Sequence, residues 1–286
     1  MTGSAEPGTE QAATITSPPA DAGGGALPRV CVVIPAYNEA ATIAALVRAC
    51  RLLAEVSRVI VVDDGSADAT SELAAEAGAQ VLRHHPNRGK GASLREGMLA
   101  ALADGAEQIA ALDGDGQHRP EDLPRLLACA RRWPDRIAIG SRRAASADAP
   151  RARAVANRVA DFWVSWAARH PIDDSQSGFR VYPAAVVRQV ALRPGVASGF
   201  AFESEVLIEA GRLGHSTVAV DIPAIYGPAL RASHFRPVAD ITRIVLMVAG
   251  KLLRSGMDPV GLWRSLQRDP RKGGHRSGGS RSQIEG

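Results

Sequence analysis

Apolar residues fall along this chain in short unbroken runs, separated by longer segments in which they recur every three or four positions. Val30-Cys31-Val32-Val33-Ile34, Val59-Ile60-Val61-Val62, Ile109-Ala110-Ala111-Leu112 and Ile137-Ala138-Ile139 are the runs, and Gln80-Val81-Leu82 is a shorter one. Unbroken runs suit strands covered on both faces, as in parallel sheets. Between them, Ile43, Leu46, Val47 and Cys50, then Leu94, Met98, Ala101 and Leu102, then Leu123, Leu126 and Leu127 keep helical spacing, and a helix covers Leu73. Asn38 is placed to cap the first helix and Ser66 or Asp68 the second. Strands alternating with helices predict one α/β domain with a mostly parallel sheet and helices on both faces.

The second half is less regular. Val155, Val159, Phe162, Trp163 and Trp166 form an apolar helical face, read as core packing or as the wall of an acceptor cleft. Asp173-Asp174-Ser175-Gln176-Ser177-Gly178-Phe179-Arg180 is a polar loop entering a short strand at Val181-Tyr182, followed by a helix over 203–212 and a strand over 216–222. Ile241, Ile244, Val245, Val248, Ala249, Leu252 and Leu253 form an amphipathic stripe with Arg243, Lys251 and Arg254 off it. Such a helix either docks on the domain or lies in a membrane interface. The expected organisation is a disordered leader (1–27), a globular domain (28–240), an amphipathic helical segment (241–265) and a disordered basic tail (266–286).

Composition narrows the classes. Of 286 residues, 45% are hydrophobic and 22% charged, with a net charge of +4, ordinary values for a soluble globular protein. Aromatic residues are only 4% and do not interleave with basic ones, so no nucleic-acid partner is expected. Cys31, Cys50 and Cys129 lack metal-ligand spacing and read as buried thiols in a reducing compartment. No stretch reaches the ~18 apolar residues of a membrane span. Glu6 and Glu10 stand where a signal peptide would be basic. The expected location is cytoplasmic, with peripheral contact on the inner face of the membrane as an option.

Acidic motifs follow three of the runs: Glu39, Asp63-Asp64, and Asp113 with Asp115. Strand ends of an α/β sheet can share one crevice, and carboxylates gathered there repel unless a cation intervenes. In Asp113-Gly114-Asp115-Gly116-Gln117, alternate residues point the same way, so Asp113, Asp115 and Gln117 can offer oxygens to one cation; the other reading is an acidic turn. Mg2+ or Mn2+ carrying a diphosphate suits such a site, and the missing Cys/His cluster argues against catalytic zinc. After the first run stands Pro35-Ala36-Tyr37, not a dinucleotide or Walker A glycine pattern, and no Gly-x-Ser-x-Gly elbow occurs. A nucleotidyltransferase would need a Gly-rich, Arg-Lys-bearing loop there; a non-catalytic nucleotide-binding module stays open.

Pro35-Ala36-Tyr37-Asn38-Glu39, Asp63-Asp64-Gly65-Ser66, Asn87-Arg88-Gly89-Lys90-Gly91 and Asp113-Gly114-Asp115-Gly116-Gln117 resemble the ordered motifs of family-2 glycosyltransferases. With Gly140-Ser141-Arg142, Ser177-Gly178-Phe179-Arg180 and Ser233-His234-Phe235-Arg236, the chain is similar to polyprenyl-phosphate sugar transferases of the dolichyl-phosphate mannose synthase type. The likeness spans about residues 29–240; His234 stands where many relatives carry Lys. It implies a GT-A-like nucleotide-diphospho-sugar transferase fold, a divalent cation (Mg2+ or Mn2+) and inversion at the sugar carbon. It also implies a nucleotide-diphospho-sugar donor and a lipid-phosphate acceptor. Pro35, Tyr37, Glu39, Asp63, Asp64 and Lys90 would bind the donor, and Asp113, Asp115 and Gln117 the metal and diphosphate. Arg142, with Arg231 or Arg236, would meet phosphate charge; Arg180 and Ser177 would lie near the acceptor. A phosphate acceptor is already anionic, whereas a hydroxyl acceptor would need a base, with Asp174, Glu203 and Glu205 as candidates.

Overall fold

Alternate side chains of a strand go to opposite faces, and the first run shows the consequence. Val30, Val32 and Ile34 enter one core, and Cys31 and Val33 enter the other. The computed structural model describes residues 29–142, 151–190, 201–223 and 237–267. The expected leader and nearly all of the tail lie outside them, as do Arg231, Ser233, His234, Phe235 and Arg236.

The strands are β1 (Val30–Ala36), β2 (Val56–Asp63), β3 (Gln80–Arg83), β4 (Gln108–Ala111), β5 (Ile137–Ser141), β6 (Arg180–Pro183) and β7 (Thr217–Asp221). The helices are α1 (Ile43–Arg51), α2 (Thr70–Glu76), α3 (Lys90–Ala103), α4 (Leu123–Arg132), α5 (Arg151–Ala168), α6 (Ala184–Val190), α7 (Ala201–Arg212), α8 (Pro237–Arg254) and α9 (Pro259–Leu266). They build one α/β domain on a seven-stranded sheet ordered β3-β2-β1-β4-β6-β5-β7. One core holds side chains of α1, α2 and α4, and the other those of α3, α5, α6, α7 and α8, so both faces are covered as expected. All strand pairs are parallel except those of β6, which runs antiparallel to β4 and β5. The loop before β6 lies at the end of the sheet where β4 and β5 finish, so β6 can only run back down from it.

Burial pushes the Cys31 and Cys50 thiols up to about 12, as core positions require; Cys129 is half-buried. The helix caps differ from expectation. Thr42, not Asn38, precedes α1, and Ala69 precedes α2, neither with a side-chain cap. Asn38 sits at φ 56°, its amide donating to Ser66 Oγ and its Oδ1 accepting from the Ala67 amide, both at 2.8 Å. Asp68 Oδ2 accepts from the Ala40 amide at 3.2 Å. The loops after β1 and β2 satisfy each other's polar groups, so capping residues serve a tertiary seam.

The amphipathic helix resolves into two faces. Ile244, Val248 and Leu252 of α8 are buried where the helix packs on α5 and α7, while Leu246 and Leu253 stay exposed. Lys251 Nζ fixes the docking, 2.7 Å from both Glu205 Oε1 and Glu209 Oε1 of α7. The apolar face of α5 also divides. Trp163 and Trp166 stack in or against the core, and Trp166 Nε1 donates to the Asp258 carbonyl at 3.1 Å. Val155, Val159 and Phe162 are exposed, against the core reading. Among the described residues no helix is long and apolar enough to cross a membrane.

Candidate functional site

The order β2-β1-β4 puts the three acidic strand ends side by side. The Asp64 amide donates to Ala36 O at 2.8 Å and the Leu112 amide to Val33 O at 3.2 Å, which holds the loops after β2 and β4 against β1. Thr42 Oγ1 donates to Gly114 O at 2.6 Å. A side chain at Gly114 would meet Pro35 O at 3.1 Å and Glu39 Cγ at 3.3 Å, so glycine lets the acidic loop close onto the β1 loop. Glu39 is buried there and Tyr37 is exposed at the rim.

Asp113 and Asp115 are half-buried neighbours with opposite electrostatics. Burial works against the charged form of Asp113, but Lys90 and His118 more than offset it and hold the carboxyl far below the usual range. Asp115 is pushed up, by burial first and by the Asp113 charge second. Its Oδ1 accepts from the Gln117 amide at 3.0 Å, which curls the loop and puts Asp115 and Gln117 together. Gly116, at φ 73°, permits that turn.

Lys90 begins α3, and its Nζ lies 2.7 Å from Asp113 Oδ1 and 2.8 Å from Glu203 Oε2 of α7. Burial would strip its proton, yet the two carboxylates overcome that and raise its pKa. His118 Nε2 stands 3.8 Å from Asp113 Oδ2, with its ring 5.3 Å from that of Phe179. Gly178 closes the other side. A methyl group there would fall 2.7 and 2.8 Å from the Asp113 carboxylate oxygens.

Some expected site residues serve the scaffold instead. Asp63 is fully buried, accepting from the Ser66 amide at 2.8 Å and from Ser71 Oγ, so its oxygens form a turn. Asp64, 4% exposed, accepts from His84 Nδ1 at 2.7 Å and from the Arg88 and Gly89 amides at 2.8 Å. Burial opposes its ionisation, but these donors keep its carboxyl below the usual range. Arg180, expected near the acceptor, is 0% exposed and its guanidinium is spent on the protein's own carbonyls. Its guanidinium donates to the carbonyls of Ser175 (2.8 Å), Ser177 (2.7 Å) and Glu203 (2.8 Å) and to Tyr182 Oη (3.3 Å). Ser177, also fully buried, lies within that clasp. Arg180 thus ties the Gly178 loop and the Glu203 end of α7 to β6. Arg142 is half-buried at the end of β5, its amide donating to Asp174 Oδ2 at 2.9 Å.

The structure therefore gathers Pro35, Glu39, Lys90, Asp113, Asp115 and Gln117 and lines the cluster with Gly178. Glu203 joins it as the second partner of Lys90, a role that its place in the first turn of α7 did not disclose. His118 was adjacent in the motif and carried no assigned part. His84 gave no local signal at all. Among the described residues no group of three His, Cys, Asp or Glu side chains stands ready to hold a metal ion.

A model of glycosyl transferase family 2 matches residues 31–193. The chain belongs to that family. The undecaprenyl-phosphate mannosyltransferase of Micrococcus luteus is 31% identical over 207 residues, covering 68% of this chain and 82% of that protein. The polyprenol monophosphomannose synthase of Mycolicibacterium smegmatis is 30% identical over 203 residues, covering 68% and 76%. Among solved structures, glucosyl-3-phosphoglycerate synthase from Mycobacterium tuberculosis in complex with Mn2+, UDP and phosphoglyceric acid superposes with a TM-score of 0.59 at 23% identity. That match covers 79% of this chain and 78% of the other, and it shows a shared fold. The protein is a glycosyltransferase with a GT-A fold, as the ordered motifs implied.

Proposed function

We propose that this glycosyltransferase moves a sugar from a nucleotide-diphospho-sugar to a polyprenyl phosphate or related lipid phosphate, with inversion at the sugar carbon. The observation that carries the reading is the Asp113–Asp115 pair, whose carboxyls are driven in opposite directions beside Lys90 at the joined ends of β1, β2 and β4. The 31% identical relative named as an undecaprenyl-phosphate mannosyltransferase and the 30% identical one named as a polyprenol monophosphomannose synthase support the acceptor class.

Two crowded carboxylates, one disfavoured as an anion, suit a hard cation that takes its remaining ligands from phosphate. Asp113, Asp115 and Gln117 would hold Mg2+ or Mn2+, and the ion would offset charge on the departing diphosphate. Two protein carboxylates make a weak seat alone, so metal affinity should depend on the donor. Pro35, Tyr37 and Glu39 line the nucleoside side. Lys90, held between Asp113 and Glu203, is poised to exchange a carboxylate for a phosphate oxygen. Arg142, with Arg231 or Arg236, meets further phosphate charge. Arg180, Ser177, Asp63 and Asp64 act by holding loops.

A phosphate acceptor needs alignment more than a base. The carboxylates that a hydroxyl acceptor would require are all engaged: Glu203 by Lys90, Glu205 by Lys251, and Asp174 by the Arg142 amide. The outer sides of α8 and α9 expose Leu246, Leu253, Val260, Trp263 and Leu266 beside Arg254 and Arg264, chemistry suited to an anionic lipid surface.

The test offers radiolabelled nucleotide sugars with Mn2+ and vesicles of anionic lipid carrying either polyprenyl phosphate or the free polyprenol. Label should enter the polyprenyl phosphate fraction with inverted anomeric configuration. Transfer to polyprenol alone would overturn the acceptor reading, and a retained configuration would overturn the single-displacement mechanism.

A further inference from the structure

His84 has no part in the reading above, yet its ring is buried just past β3 between two acids. Nδ1 lies 2.7 Å from Asp64 Oδ1, and Nε2 lies 2.8 Å from Glu96 Oε2. A neutral imidazole donates at one nitrogen and accepts at the other, so one carboxylate would face a lone pair. Only the imidazolium donates to both. On one side, Asp64 receives the Arg88 and Gly89 amides, and its carbonyl receives Asn87 Nδ2 at 2.8 Å. On the other, Glu96 belongs to α3, the helix that Lys90 begins. Arg88 lies 3.2 Å from Glu96, and Ser93 Oγ is 3.5 Å from Nδ1. His84 thus grips the Lys90 segment through the turn before it and the helix after it.

We propose that His84 is a positioning residue, a buried imidazolium that fixes the 87–89 turn and α3 so that Lys90 stands against Asp113. Its link to transfer rests on the function proposed for Lys90; its charge and its hold on the turn do not. The Asp64 hydrogen bond raises the His84 pKa above 6.5; burial opposes the shift, and Glu96 adds to it. With a raised folded-state value, the stabilisation is complete below that ordinary value and is lost as pH climbs through the raised one.

Three readouts test this. In 15N spectra of histidine-labelled protein taken as pH rises from 6.5, both His84 nitrogens should stay protonated beyond the point where an ordinary imidazole is half neutral; a ring already neutral at pH 6.5 would overturn the proposal. Protection of the Arg88 and Gly89 amides against exchange should fall as the ring loses its proton, and protection that ignores the ring's titration would count against it. His84→Asn keeps a donor toward Asp64 and loses the one toward Glu96. It should lower kcat/KM for transfer by roughly 10- to 100-fold and abolish the alkaline limb of the pH profile. A folded variant with wild-type kcat/KM and the same limb would overturn the proposal; if the variant does not fold, the spectrum and exchange decide. A wild-type protein that transfers to no acceptor would sink the functional reading while leaving those two measurements to judge His84.

Discussion

Asp115→Ala is expected to cut sugar transfer by a factor on the order of 10²–10³ and to raise the melting temperature at neutral pH by about 1–3 °C. The opposite signs have one cause. Burial and the Asp113 charge push the Asp115 carboxyl up, so its ionised form opposes folding at neutral pH. Because the folded-state pKa lies above the ordinary value of 3.8, that penalty disappears in acid, where the group is protonated in both states. The thermal gain should therefore be present at pH 7 and absent near pH 3. The same crowding is what a cation would relieve, so removing the carboxylate removes the seat. Activity sites commonly carry such a stability cost. Calorimetry at the two pH values with a transfer assay checks both halves. An unfolded variant would make Asp115 structural, and one with normal turnover would make the motif an acidic turn.

Gly178→Ala comes second, with an expected loss of about 10²-fold in transfer and an intact fold. The added methyl would sit 2.7 and 2.8 Å from the Asp113 oxygens and 3.0 Å from the carboxylate carbon. Something has to move. The loop cannot retreat easily, because Arg180 clasps the carbonyls of Ser175 and Ser177 just before Gly178. Asp113 is the softer partner, and its displacement breaks the Lys90 contact and shifts one of the two carboxylates. Displacement of about 1 Å at a reacting centre is enough for a loss of this size. Circular dichroism should match the wild type while kcat falls. Wild-type kcat in a folded variant would mean that the Asp113 geometry is not critical.

Some of this was legible in the residues and some was not. Unbroken apolar runs placed β1 to β5, which are covered on both faces, whereas β6 and the half-exposed β7 carry no such run, and the spacing of Ile43, Leu46, Val47 and Cys50 gave α1 its buried side. The direction of β6 was not legible, since a short strand such as Val181-Tyr182 carries no sign of which way it runs. Asp113, Asp115 and Gln117 were singled out by their spacing, but β4 ends at Ala111 and the segment is a turn closed by the Gln117 amide on Asp115 Oδ1, not the extended alternation expected. Arg180 misled for another reason. The resemblance put it near the acceptor, and only the folded chain shows three carbonyls converging on it. Asp63 and Asp64 share one motif, but the strand pleat and the turn direct them to separate scaffold partners. Lys90–Glu203 and the His84 clamp join residues far apart in sequence, and no spacing rule reaches them.

If Asp113 and Asp115 seat a divalent cation together with the donor's diphosphate, metal and nucleotide bind cooperatively. Electron paramagnetic resonance of Mn2+ titrated into the full-length protein, with and without a panel of nucleoside diphosphates, tests it most directly. Mn2+ should bind weakly alone and at least about tenfold more tightly with the right nucleotide, and the coupling should be lost in Asp115→Ala. Mn2+ binding that is indifferent to every nucleotide, or coupling that survives in Asp115→Ala, would contradict that shared seat.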